Sequence, residues 1–239
     1  QQGAKVLSIV NVVDSTLARL SDYVIYINAG PELCVAATKS FLNQLAIFYL
    51  LSFAMAGRLR EGRRELKSLA PLISQTLESN LELAKELAKL TKDKKDFYYI
   101  ARGINFAIAC EGALKLKEVA QIHAEGIDAG EFRHGSKTLL GEETSVIVMV
   151  PQDPEAREDT YSLIDEISGI TDVLIITCDT DPFADKFSRF VVRIPTIPEL
   201  LAPLLYVLVM QRISLYMGII KDRPVDQPPM LRKFVILSR

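Results

Sequence analysis

The hexapeptide VLSIVN at residues 6–11 returns 167 positions later as VLIITC at residues 173–178. The correspondence continues without a gap. Asp14 falls on Asp181, Ser21 on Ser188, Val24 on Val191, Ile27 on Ile194, and Pro31-Glu32-Leu33 on Pro198-Glu199-Leu200, giving ten identities in the 28 positions from 6 to 33. Composition alone does not produce such a match, so the economical reading is two copies of one structural unit. Each copy opens on a run that is continuously apolar rather than alternating, the pattern of a strand buried on both faces of a parallel sheet.

Working outward, strand patterns are expected at residues 22–27, 97–102, 145–150, 172–177 and 190–194. Helical stretches lie among them at 35–56, 59–79, 81–90, 105–121, 154–168 and 199–217. Strands alternating with long helices define an α/β protein with doubly wound parallel sheets in tandem. In the second copy a strand, a helix and another strand precede the repeated stretch, so the same elements of the first copy are expected upstream of Gln1. The first domain is therefore read as incomplete at its N-terminus. The expected divisions are residues 1–82, 83–222 and a tail at 223–239 that closes the site, with the charged run Lys92-Asp93-Lys94-Lys95-Asp96 leading into the second domain.

The chain has 239 residues, 49% apolar and 24% charged, enough for a sizeable core without disulfide or metal staples. Its net charge of −2 argues against general binding to nucleic acid or an anionic membrane, so any anionic ligand must be held by a local site. Cys34, Cys110 and Cys178 are widely spaced and odd in number, which suggests neither a disulfide framework nor a zinc site and fits a reducing, cytoplasmic compartment. The apolar runs at 45–57 and 200–210 are shorter than the ~18 to 20 residues that span a bilayer, so no membrane segment is expected.

Functional side chains are densest in CEGALKLKEVAQIHAEGIDAGEFRHG, residues 110–135. Glu111, Lys115 and Glu118 are spaced to share one helical face, where carboxylate and ammonium adjust each other's protonation and can work as an acid/base pair. The plain alternative is a surface ion pair worth ~0.3 to 0.5 kcal/mol. Two features favour the functional reading. Gly112 in the helix interior implies close packing, and the helix follows Ala101-Arg102-Gly103, a strand, glycine turn and helix N-terminus of the kind that builds ligand sites in open α/β sheets. Both histidines fall here: His134, in a glycine-bearing loop, is the better candidate for proton transfer, and His123 is read as a structural continuation of the helix. Glu32 and Glu199 hold equivalent places, where capping of the following helix explains both. Lys233 sits in an apolar-ending tail whose burial would make it a nucleophile.

Together these pieces resemble the sugar isomerase (SIS) superfamily, and within it the isomerase half of the glutamine:fructose-6-phosphate aminotransferases. The blocks that carry the resemblance are AGPELCVAATKSF at 29–41, EGALKLKEVAQIHAEGIDAGEFRHG at 111–135 and DQPPMLRKFV at 226–235. The resemblance implies tandem SIS domains, a sugar-phosphate substrate, no metal and no organic cofactor. It implies that Glu118 moves a proton between the first two sugar carbons and that Lys115 orients the substrate and supports charge in the intermediate. By the same resemblance His134 opens the sugar ring from the neighbouring subunit of a homodimer, Lys233 forms a Schiff base with fructose 6-phosphate, and the backbone of Val35 lines the sugar site.

The departures are Ala37 where the family commonly has serine, Ser136 in place of the proline of a HGP motif, and Arg232 in place of a small residue. The family's serine-rich phosphate loop is expected upstream of Gln1, so residues 1–239 alone are expected to be nearly inactive. Two other readings are a glucosamine-6-phosphate deaminase or deglycase on the same domains, and a non-catalytic sugar-phosphate sensor. The sensor needs neither base nor Schiff-base lysine.

Overall fold

A computed structural model describes residues 3–232, which divide into two compact units, Gln1–Leu69 and Ala70–Arg239. The first contains β1 (Leu7–Val10), α1 (Thr16–Leu20), β2 (Tyr23–Tyr26) and α2 (Lys39–Met55), and α3 (Leu59–Ser79) carries the chain onward. The second contains α4 (Leu81–Leu90), β3 (Asp96–Ala101), α5 (Phe106–Ala120), β4 (His123–Asp128) and α6 (Ala129–Phe132). It continues through β5 (Thr144–Met149), α7 (Pro154–Ile167), β6 (Asp172–Cys178), β7 (Phe190–Ile194) and α8 (Pro203–Ile220).

The sheet of the second unit is wholly parallel in the order β4-β3-β5-β6-β7. The chain moves outward from β3 to β4, then crosses back to β5, so the direction of winding reverses between β3 and β5. The repeat is visible in the pairing. In the first unit Leu7 lies opposite Tyr23 and Val10 opposite Tyr26. In the second, Leu174 lies opposite Phe190 and Thr177 opposite Arg193, each pair displaced by the sequence offset.

The strands read as apolar runs because both faces of the sheet are covered. Tyr98, Ile100, Val146, Val148 and Ile175 point toward α6 and α7, where they meet Phe132, Leu163, Ile164 and Ile167. Tyr99 points the other way, against Gly112 of α5 and Met210 of α8. Local signals place the helix starts: Asp153 accepts from the Ala156 amide at 3.0 Å, and Pro154 fills the first turn of α7 where no amide is needed.

Three expectations need correction. Residues 123–128 form β4, not a continuation of the preceding helix: Gln121 takes φ 56°, which ends α5 in the left-handed conformation and turns the chain into an edge strand. HAEGID escapes an apolar-run search because an edge strand is only partly buried. The helix expected from residue 35 begins at Lys39, since residues 31–38 are an irregular loop. The helix expected over 199–217 starts as a 3-10 turn at Glu199–Leu201 and runs on to Ile220. With that turn it becomes long and apolar enough to cross a membrane, unlike the shorter run seen in sequence. Some 72% of the stretch is buried inside the protein, as befits a core helix.

Gly126 of β4 permits the closest approach in the unit. A Cβ there would lie 2.4 Å from the Cys110 amide nitrogen and 2.5 Å from its Cα, both rigid backbone of α5. Gly126→Ala is expected to destabilise the second unit by about 3 kcal/mol, the upper range for overpacking, while Gly169→Ala, with nothing near its Cβ, leaves urea-unfolding stability within about 1 kcal/mol of the parent.

Candidate active site

The helix α5 brings Glu111, Lys115 and Glu118 together on one face. Lys115 Nζ lies 2.5 Å from Glu118 Oε2 and 3.4 Å from Glu111 Oε1. The side chains are 4%, 10% and 19% exposed for Lys115, Glu111 and Glu118, so this is not the solvated pair of the plain reading. Gly112 explains why the face is held so deep. A Cβ at that position would fall 2.9 Å from the Tyr99 ring and 3.1 Å from Met210, so α5 packs against β3 and α8 with no room for a side chain.

Two carboxylates and one ammonium leave the cluster one negative charge in a desolvated place. Burial pushes the Glu111 carboxyl above its ordinary value, with Lys115 opposing the shift and Glu118 adding to it. Glu111 Oε1 makes no hydrogen bond of normal geometry. Glu118 is the most open of the three and holds the ammonium most tightly. The arrangement can therefore present a carboxylate to a neighbouring molecule, with a fixed positive charge beside it to balance charge that develops during proton transfer.

His134 lies elsewhere. It follows β4 and α6, is exposed, and donates its backbone amide to the Glu131 carbonyl. His134 follows Phe132, which packs with α7 on one face of the sheet, whereas Glu118 lies on α5, which packs with α8 against the other face. One chain therefore does not bring the two side chains together. Val35 is half-buried in the loop before α2, in the first unit, and Lys233 lies outside the described residues. His123, on β4, pairs its Nδ1 with Asp96 Oδ1 at 2.8 Å on the surface.

The glycine turn after β3 was expected to open a ligand site at the start of α5. The geometry fills it from within. Glu199 Oε1 accepts from Asn105 Nδ2 at 2.5 Å and Oε2 from the Gln152 amide at 2.6 Å, so its carboxylate bridges the loops after β3 and β5 where the winding reverses. Glu199 is thus an internal occupant of the crevice rather than a helix cap. Glu32, its repeat counterpart, does cap: its carboxylate accepts from the amides of Thr38 and Ser40 at 3.3 and 3.2 Å and from both hydroxyls. Sequence reasoning also missed an ion network along α7, in which Arg102, Arg133 and Lys137 meet Asp159 and Glu166. Partners 26 to 57 residues apart carry no periodic signal. Among the described residues no group of three or more His, Cys, Asp or Glu side chains is placed to hold a metal ion.

These features are those of an α/β domain built on a doubly wound parallel sheet. The SIS domain family model matches residues 1–54 and 89–221, and the chain belongs to that family. Over 242 residues it is 39% identical to the glutamine–fructose-6-phosphate aminotransferase (isomerizing) of Pyrobaculum aerophilum, and over 246 residues 36% identical to that of Thermococcus kodakarensis. Both alignments take in all of this chain and 40% of the relative, so the chain spans less than half the length of these proteins. Among solved structures, the C-terminal domain of glucosamine-fructose-6-phosphate aminotransferase from Francisella tularensis superposes with a TM-score of 0.84 at 30% identity, covering 94% of this chain and 66% of that one.

The buried cluster gives two measurable outcomes. Lys115→Ala leaves two buried carboxylates without a counter-charge and is expected to cost about 3 kcal/mol, in the range for breaking a buried pair, by urea denaturation. Glu111 binds its proton more tightly folded than unfolded, so its contribution disfavours folding at neutral pH and lessens as pH falls through its raised pKa toward 4.5. The stability difference between the parent and Glu111→Gln is accordingly expected to shift in the parent's favour over that descent, and a pH-independent difference counts against this account.

Proposed function

We propose that this chain is the isomerase portion of an enzyme that converts fructose 6-phosphate and ammonia to glucosamine 6-phosphate. The single observation that carries the proposal is the Glu111–Lys115–Glu118 cluster, with Glu118 as its open end, on a chain similar throughout to aminotransferases of that name. The two units are read as tandem SIS domains, supported by the shared register of β1–β2 and β6–β7. The first unit is read as part of a domain whose remaining elements precede Gln1.

In this reading Lys233 condenses with the C2 carbonyl of the opened sugar, releasing water. Ammonia then displaces the lysine and leaves an imine at C2. Glu118 takes a proton from C1 while the imine nitrogen takes up a proton, so that the electron pair forms an enolamine; the proton then returns to C2 as the C1 hydroxyl gives up its own, leaving the aldose with an amine at C2. Lys115 holds the Glu118 carboxylate and balances charge in the enolamine. The backbone of Val35 lines the sugar site.

His134 opens the ring, and its place on the sheet face opposite that of Glu118 supports its delivery to the site of a second copy in a homodimer. Every proton and electron pair in this sequence is accounted for by substrate, ammonia and side chains, so the reading calls for neither a metal nor an organic cofactor.

The test is amination of fructose 6-phosphate by a chain spanning the full length of the relatives. Glu118→Gln is expected to lower kcat by about 10³-fold, within the span for loss of a general base, with little change in KM. Undiminished turnover overturns the assignment of the base. Ammonia release as the only detectable direction favours a deaminase, and binding of the sugar phosphate without turnover in either direction favours a sensor.

A further inference from the structure

The loop that carries His134 is fastened on both sides to one carboxylate. Arg133 Nε lies 3.3 Å from Glu166 Oε1, and Lys137 Nζ lies 2.6 Å from Glu166 Oε2. Arg133 also reaches back along α7, with Nη1 3.3 Å from Asp159 Oδ1 and Nη2 3.3 Å from the Asp159 carbonyl. Asp159 in turn pairs with Arg102, in the loop after β3. Glu166 and Asp159 are seven residues apart, hence on one face of α7, which is anchored in the core by Leu163, Ile164 and Ile167. Between the two clamped cations lie His134, Gly135 and Ser136, a stretch with a glycine, no proline and no buried residue to hold it. Among the described residues, none makes a side-chain hydrogen bond with His134.

We propose that Glu166 is a positioning residue for His134. It acts through Arg133 and Lys137 to fix the direction in which the loop presents the imidazole. The inference rests on the reading of His134 as the ring-opening residue. Pairs on the surface contribute little to global stability, and these cations are only a quarter to a third exposed. Two of them converging on one carboxylate remove most of the freedom that Gly135 gives the loop. Both cations hold the Glu166 carboxyl below the usual range, Lys137 most strongly, so the clamp is fully charged at neutral pH. A displacement of about 1 Å at a proton-transfer group costs on the order of 10²-fold in rate, and a loosened clamp leaves the group correctly placed for part of the time.

The experiment uses a chain of the full relatives' length, assayed for glucosamine 6-phosphate formation from fructose 6-phosphate. Glu166→Gln is expected to lower kcat 5- to 20-fold with KM and melting temperature nearly unchanged, and Lys137→Met to lower it in the same direction. Glu166→Asp, which keeps the charge, recovers part of the loss. In a His134→Ala background, Glu166→Gln has no further effect, because its only route to the reaction has been removed. An equal loss in both backgrounds, or one that follows a drop in melting temperature, overturns the positioning role. If His134→Ala is nearly inactive and Glu166→Gln fully active, this inference alone is overturned. If His134→Ala keeps full kcat, the ring-opening assignment falls and the inference falls with it.

Discussion

The close seating of α5 on the sheet is the constraint on which the rest of the second unit depends. It rests on two glycines, one on β4 and one on α5. Gly126 lets β4 meet the Cys110 backbone, and Gly112 lets the Tyr99 ring and Met210 fill the space of an absent side chain. Glycine in a helix interior costs about 1 kcal/mol relative to alanine. Here that cost is offset by dense contact among Tyr99, Ala109, Leu116 and Met210, all fully buried. The same seating buries Lys115 along its whole length and obliges the chain to supply carboxylates beside it. The charged cluster and a packing requirement thus share one helix face.

The two copies of the repeat show how one element serves different ends. Strand pairing is preserved pair for pair, because the apolar runs and the turn between them are fixed by sheet geometry. The glutamate that follows the second strand of each copy has diverged in what it binds. Glu32 closes on the amides that begin α2. Glu199 reaches across the sheet edge to Asn105 and Gln152, at the place where open α/β sheets commonly receive anions. With a carboxylate already bound there, the crevice of the second unit repels a further negative group. On the proposed function, a substrate phosphate is therefore held outside this crevice.

Much of this was legible in the residues. The strands announced themselves because burial on both faces demands continuous apolar runs, and Gly112 signalled its packing role because glycine is otherwise costly in a helix. The i, i+4, i+7 spacing placed Glu111, Lys115 and Glu118 on one face, although spacing cannot give depth; the burial that separates this cluster from a solvated surface pair comes from β3 and α8. β4 was hidden because an edge strand is selected for partial solvation, and HAEGID lacks the apolar run. The bridging role of Glu199 was hidden for a different reason. Its partners are 94 and 47 residues away, and no local rule distinguishes a glutamate that caps its own helix from one that reaches another loop.

The same distinction bears on His134. Its neighbours in sequence, a basic residue and a glycine, describe a surface loop, and the sequence supplies no reason for that loop to hold one shape. The reason lies on α7, whose buried face fixes Glu166 and Asp159 as firmly as any core residue while their carboxylates stay at the surface. A proline after His134-Gly135 would have set the loop by restricting one backbone angle. This chain has Ser136 there, followed by Lys137, so charge from a rigid helix takes over what ring geometry could have done. Such a substitution keeps the shape at neutral pH and makes it dependent on a carboxylate remaining ionised, a dependence that a proline would not have introduced.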